Sequence, residues 1–225
     1  MMTGLVRKAT LLSVCGLLGA SAAIAGVPSA TNSIIGTGIQ LVGTAGGVAD
    51  VKGQKLITVK DAIGNTVQNS TVTISFSAST AADIRLCSTQ PQPGVGVSCG
   101  NKEVVALTDA SGIATFRVVG YALNPGTGVF GAPGAGYGVG GATVKADGVT
   151  LGTLTVGAPD ENGSGGIGVV DLALFLNDRF SISAPANFRG RSDFNGTNSV
   201  DVVDLAVFLN IRFGGGSTVS CASPC

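Results

Sequence analysis

The 225-residue chain contains no histidine and no tryptophan. Without His it lacks the usual general base and the commonest transition-metal ligand. Without Trp, and with only Tyr121 and Tyr137, it has little from which to build a flat aromatic platform for sugars. Charge is sparse as well, at 12% of residues, and balanced at 13 basic against 13 acidic. A phosphate backbone needs a basic patch, so nucleic-acid binding has no electrostatic support. No Ser, Cys or Thr is paired with a base as a nucleophile would require. The acids to weigh as a glycosidase pair are Glu103, Asp109 and Asp147. Asp109 and Asp147 sit in turn sequences and Glu103 at a polar strand position, so structural roles account for all three, and the expectation is a protein that is not an enzyme. What the chain has in plenty is glycine, 36 residues, which suits an extracellular β protein with many turns.

Residues 1–25 read as a signal peptide. Arg7 and Lys8 form the charged start, Ala9 to Ala20 is apolar and small, and Ala23-Ile24-Ala25 fits the A-x-A cleavage pattern. The stretch is too poor in large apolar residues for a membrane anchor. Val14 before Cys15 is too large for a lipoprotein box, so cleavage is expected after Ala25. Removal of this leader takes two basic residues and no acidic ones, and leaves no segment able to span a bilayer. Four cysteines then remain: Cys87, Cys99, Cys221 and Cys225. An even number in an exported chain indicates disulfides, with three possible pairings. Proximity along the chain favours Cys87–Cys99 and Cys221–Cys225. A metal site is the weaker alternative, there being no His and no CxxC spacing.

Residues 26–157 read as short strands separated by turns. In Thr71 to Ser77, Val72, Ile74 and Phe76 share one face and hydroxyls the other. Ile57 and Val59 repeat the alternation, as do Ala114, Phe116 and Val118, then Val144 and Ala146, then Leu154 and Val156. Asp61 to Asn65, Asp109 to Gly112 and Asp147-Gly148 are turn signals, with Asp to bind neighbouring amides and Gly for the positive-φ position. Such spacing predicts a β-sandwich. Within residues 124–141 the run Gly136-x-Gly138-x-x-Gly141 matches the dinucleotide fingerprint only in form. A strand rather than a helix follows it, and a mobile hairpin loop is the expectation. The phrases VKDAIGNTVQNSTVTISFS and LTDASGIATFRV resemble the bacterial Ig-like repeats of surface adhesins, over about residues 39–157. That resemblance implies a stalk, spacer or adhesion module.

The C-terminal part is duplicated. Residues 160–180 and 193–213 begin 33 residues apart, and VVDLALFLNDRF and VVDLAVFLNIRF agree at ten of twelve positions. Each copy opens with a run that fits a calcium loop. Asp160, Asn162, Ser164, the Gly166 carbonyl and Asp171 fall at loop positions 1, 3, 5, 7 and 12. In the second copy these are Asp193, Asn195, Thr197, the Ser199 carbonyl and Asp204, and Asp201 adds a third carboxylate. Position 6 must tolerate positive φ, which Gly165 does freely and Asn198 next best. Helical spacing follows in both: Leu172, Phe175, Leu176 and Phe180, then Leu205, Phe208, Leu209 and Phe213. The competing reading, two Asx-rich turns that merely cap helices, explains one copy far better than two in register.

Position 12 is Asp, not the Glu of an ordinary EF-hand, and no amphipathic helix precedes either loop. This loop-then-helix pair resembles the dockerin family over residues 158–214. The resemblance implies two bound Ca²⁺ ions, calcium-dependent folding, and docking to a cohesin domain on a scaffold or cell surface, in the company of polysaccharide-degrading enzymes. It further implies that the partner is read at loop positions 10 and 11, here Val169, Val170, Val202 and Val203, where many dockerins carry hydroxyl residues. The alternative is a stand-alone surface protein with the calcium module as an intramolecular clip or sorting tail. The expected fold is thus mainly β: an Ig-like β-sandwich over 26–157, joined by GAPD to a small dockerin-like, EF-hand-like helical pair over 158–214, then a Gly/Ser/Cys tail over 215–225. The helices should pack antiparallel and bury Leu172, Phe175, Leu176, Leu205, Phe208 and Leu209. Ligand charge tunes affinity, so the second loop should bind calcium more tightly than the first.

Overall fold

The computed structural model describes residues 26–78, 81, 83–123, 141–180, 191–197, 199–215, 218–219, 221 and 224–225. The expected leader 1–25, the Gly-rich segment 124–140 and Asn198 lie outside these.

The described chain is mainly β, with twelve strands and two α-helices. In order the strands are β1 (Gly38–Val42), β2 (Thr44–Ala45), β3 (Val48–Ala49), β4 (Lys55–Thr58), β5 (Thr71–Ser75) and β6 (Ile84–Leu86). They continue with β7 (Gly96–Ser98), β8 (Glu103–Leu107), β9 (Ile113–Phe116), β10 (Val118–Ala122), β11 (Ala142–Ala146) and β12 (Val149–Gly157). Eight of them form one sheet in the order β6-β10-β1-β12-β11-β5-β8-β7, and β4 pairs separately with β9. The β5/β8, β5/β11 and β11/β12 pairs are antiparallel, whereas β1 runs parallel to both β10 and β12.

The alternation in the sequence sets what each strand buries. Val72, Ile74 and Phe76 are fully buried, as are Ile57, Ala114, Phe116, Val118, Val144, Ala146 and Leu154. All belong to one apolar cluster, so the β4/β9 pair packs on the same core as the large sheet. The turns use the expected chemistry. Asp61 Oδ1 accepts from the amides of Ile63 and Asn65, and Asp109 Oδ1 from those of Ser111 and Ile113. Gly64 and Gly112 take φ of 89° and 71° in the positive region. Asp147 Oδ1 accepts from the Thr71 amide and ties its turn to β5.

The disulfides differ from the expected pairing. Cys87 is bonded to Cys221 and Cys99 to Cys225, across 134 and 126 residues of sequence. Cys87 follows β6 and Cys99 follows β7, the two outermost strands of the sheet. The tail lies along the β6 edge, with the Cys225 amide donating to the Leu86 carbonyl and Pro224 bridged to Cys87. Cys225 thus meets β6 through its amide and the residue after β7 through its sulfur, so both outer strands reach the tail. Proximity in sequence fails here because sheet curvature, not loop length, decides which thiols meet.

The C-terminal part holds α1 (Val169–Phe180) and α2 (Val202–Phe213). Their shared core is Phe175, Phe208 and Ile211 with Ile167, Phe194 and Val200, while Leu172, Leu176, Leu205 and Leu209 are only partly buried against it. Phe175, Phe194 and Phe208 form a stacked trio with centroids 5.8–6.1 Å apart.

Candidate metal loops

The position-12 aspartates of the two loops repeat each other bond for bond. Asp171 lies in the first turn of α1, fully buried, and its Oδ1 accepts from the amides of Glu161 (2.9 Å) and Asn162 (3.2 Å), its Oδ2 from Gly168 (2.8 Å). Asp204, equally buried in α2, accepts from Phe194 (2.8 Å), Asn195 (3.1 Å) and Asp201 (2.9 Å). Every partner is offset by 33 residues. At position 1, Asp160 accepts from the amides of Ser164 and Gly165, and Asp193 from those of Gly196 and Thr197. At position 3, Asn162 Oδ1 accepts from Ser164 N and Asn195 Oδ1 from Thr197 N. The loop amides therefore wrap around the position 1, 3 and 12 side chains. Gly165 takes φ of 88°, and Gly163 and Gly196 at position 4 take 67° and 71°.

Three amides occupy three of the roughly four lone-pair directions of each position-12 carboxylate, and one direction stays open to a further partner. In the first loop the Asp160 carboxyl is pushed up to about 6, by burial first and by the charge of Asp171 second, against the opposing pull of the Gly165, Ser164 and Gly163 amides. Two carboxylates drawn together out of water disfavour each other's charge, and a cation between them removes that penalty. Among the described residues no three His, Cys, Asp or Glu side chains gather as a metal-ligating group. The loops instead add neutral oxygens: Asn162, Ser164 and the Gly166 carbonyl in one, Asn195, Thr197 and the Ser199 carbonyl in the other. An all-oxygen set of this kind suits a hard cation rather than a transition metal.

Two differences separate the loops. Position 9 is Gly168 in the first and Asp201 in the second. Asp201 caps α2 by accepting from Val203 N at 2.7 Å, in a reciprocal capping box with Asp204. Position 2 is Glu161 in the first and Phe194 in the second, both buried. Glu161 Oε1 and Asp178 Oδ2 each lie 2.8 Å from the Ser192 hydroxyl. Phe194 instead wedges into the aromatic trio.

Reciprocal contacts fix the helices relative to each other. Arg179, in the last turn of α1, donates to the Val200 carbonyl (3.1 Å), and Arg212 in α2 donates to the Ile167 carbonyl (2.5 Å). Each helix end thus touches the loop that begins the other helix, an antiparallel arrangement about a pseudo-twofold. The four valines at loop positions 10 and 11 stay outside this core: Val169, Val170, Val202 and Val203 are 70%, 54%, 63% and 52% exposed. Phe180 and Phe213 are exposed too, each under the guanidinium of its neighbouring arginine.

Both loops are seated on the sheet. Gln40 Nε2 of β1 donates to the Phe194 carbonyl at 2.7 Å, and the Thr37 hydroxyl to that of Asn195 at 3.5 Å. The Ala122 amide of β10 donates to the Asp160 carbonyl, and Ala158 N to Arg191 O. Arg191 is also paired with Asp83 at 2.6 Å. Lys52 reaches the Asn210 carbonyl at the end of α2. A cavity of about 300 Å³ lies beside this contact, between Gly36–Gln40, Lys52–Lys55 and Phe194–Asn195. The arginines at the helix ends and Gln40 are contributions that reading for ligand spacing passed over. The arginines were visible in the repeat, but nothing in the sequence singled out Gln40.

Comparison with protein-family models, curated proteins and solved structures found no match.

Proposed function

We propose that this is a non-catalytic exported protein whose C-terminal repeats bind two calcium ions and dock, as dockerin modules do, to a cohesin-type domain or surface scaffold. The observation that carries the reading is that the buried aspartate ending each loop, Asp171 or Asp204, accepts from three loop amides that match at a 33-residue offset. Turns that merely cap helices need one amide contact, not three on a fully buried carboxylate. Calcium would be held in the first loop by Asp160, Asn162, Ser164, the Gly166 carbonyl and Asp171, and in the second by the equivalent residues with Asp201. The ion supplies a fixed double charge that neutralises the paired carboxylates and stiffens the loop ahead of each helix. The exposed valines, duplicated by the pseudo-twofold, form the docking face. The preceding β region is read as an Ig-like sandwich, with the β4/β9 pair facing the large sheet, and serves as a spacer.

A second reading has its own support. Both loops hydrogen-bond onto the sheet, which favours a stand-alone surface protein in which the calcium module acts as an intramolecular clip. Calorimetric titration of the metal-free protein with Ca²⁺ tests the shared premise, with two binding events expected and the second loop the tighter. Absence of heat and of any change in circular dichroism on chelation would sink both readings. Calcium-dependent capture by cohesin domains of the same genome then separates docking from clipping.

A further inference from the structure

We propose that the C-terminal strap is a built-in part of the first calcium loop and sets its affinity apart from that of the second. This rests on the calcium reading above and goes beyond it, because the two loops share the bonds of their position-12 aspartates yet differ in what holds them from outside. The Val219 amide donates to the Gly165 carbonyl at 2.9 Å, and Thr218 bridges to Gly166. Gly165 and Gly166 are loop positions 6 and 7, where the chain must turn its carbonyl toward the ion. Thr218 is held in turn by β2, through the Thr44 amide on its carbonyl at 2.7 Å. Val219 is buried in a small cluster with Ala49, Cys87 and Val119. Cys221 is bonded to Cys87, and Cys225 to Cys99. The strap therefore presents a fixed strand edge to the first loop, anchored covalently to the sheet at two points.

Among the described residues the second loop takes no such contact from the tail; its position 6, Asn198, lies outside them. Its described partners on the sheet are Gln40, Thr37 and the backbone around Gly38, on β1 or just before it, together with Thr155 and Gly157 of β12. A preset loop costs less ordering when it closes on an ion, so an intact strap raises affinity at the first loop alone.

The protein carries its own reporter for that loop. A Cβ added at Gly163 would lie 3.0 Å from the Tyr121 ring, so Tyr121 sits against loop position 4. Tb³⁺ takes the same oxygen ligands as Ca²⁺ and emits when an adjacent tyrosine is excited. Tyrosine-sensitised Tb³⁺ emission from the full-length protein, displaced by Ca²⁺, reads the first loop, and Tyr121→Phe must abolish the signal. Calorimetry reads both loops.

Val219→Pro removes the amide donor and leaves both disulfides in place. It should weaken binding at the first loop by about three- to tenfold, the worth of one hydrogen bond, and leave the second loop unchanged. A chain ending at Gly215, with Cys87→Ser and Cys99→Ser, should weaken it further. Retained binding at the second loop shows that either variant is folded. Equal affinity of wild type and both variants at the first loop, or equal losses at both loops, overturns the role of the strap. A wild type in which neither loop takes up Ca²⁺ or Tb³⁺ overturns the calcium reading itself, and this inference with it.

Discussion

At the residue scale the decisive groups are the position-12 aspartates and Asp160. Asp204 satisfies three backbone amides, and the amide of Phe194 among them is buried. Removing a partner from such donors costs about 1–3 kcal/mol for each one left unsatisfied. Asp204→Ala is therefore expected to lose about 3 kcal/mol or more even in chelator, measured by urea unfolding. A calcium-free stability equal to wild type would show that the carboxylate serves only as an ion ligand. Asp160 gives a pH dependence with a definite sign. Its folded value is raised to about 6 from 3.8, so the folded chain holds the proton more tightly than the unfolded one. That contribution is present in full below about pH 4 and is lost as pH rises through about 6. The calcium-free protein should thus melt at a higher temperature near about pH 4.5 than near about pH 7, and Ca²⁺ should bind better on the alkaline side. The lowered carboxyl of Asp61 works the other way, but its effect falls away only below the usual carboxylate range, outside this window. A melting temperature rising steadily from about pH 4.5 to 7 in chelator contradicts the account of Asp160.

At the scale of elements, the repeats show why some structure was legible and some was not. The helices could be read because Phe175 and Phe208 recur at helical spacing behind an aspartate, and the strands because apolar residues alternate over Val72, Ile74 and Phe76. Strand order could not. The parallel pairing of β1 with β10 and β12 joins segments nearly 80 or more residues apart, and no local pattern encodes it. The disulfides were misjudged for the same reason: Cys87 and Cys99 look like neighbours until they fall beside opposite edge strands. Leu172, Leu176, Leu205 and Leu209 form the margin of the helical core, because Phe194 and Ile211 fill its centre. The outward valines are the element-scale prediction. Val169 and Val202 are 70% and 63% exposed, so Val169→Asp or Val202→Asp should change stability by less than about 0.5 kcal/mol. With the pseudo-twofold offering two equivalent faces, either substitution alone should leave cohesin capture measurable, and only the double variant should abolish it in surface plasmon resonance. Full loss from one substitution would mean that the two faces are not interchangeable.

At the scale of the whole molecule, the interest is that the helical pair is not hung from a free linker. The expected joint GAPD is absorbed: Gly157 ends β12, Ala158 is buried, and Asp160 is hydrogen-bonded to β10 through its carbonyl. A side chain at Gly157 would meet the Phe194 ring at 3.0 Å, so the last strand and the second loop touch without room for one. With Gln40, Thr37, Lys52 and the Arg191–Asp83 pair added, the contacts cross from sheet to repeats at several independent points. The disulfides close the circuit by returning the tail to β6 and β7 across more than a hundred residues each. In the chain-entropy picture a loop of that size restrains the unfolded state by about 4–5 kcal/mol, though two overlapping loops do not add in full. Parts coupled this way should unfold together, so calorimetry should show one transition, not a small calcium-sensitive melt ahead of a larger one. An ion at a hundredfold excess over its dissociation constant adds about 2.7 kcal/mol to the folded state. Spread over a single transition of a chain this long, that is roughly 5–10 °C for each occupied loop. A lone early transition that moves with calcium while the main one stays put would show that sheet and repeats melt apart, and the seat of Phe194 on β12 would then be too weak to couple them.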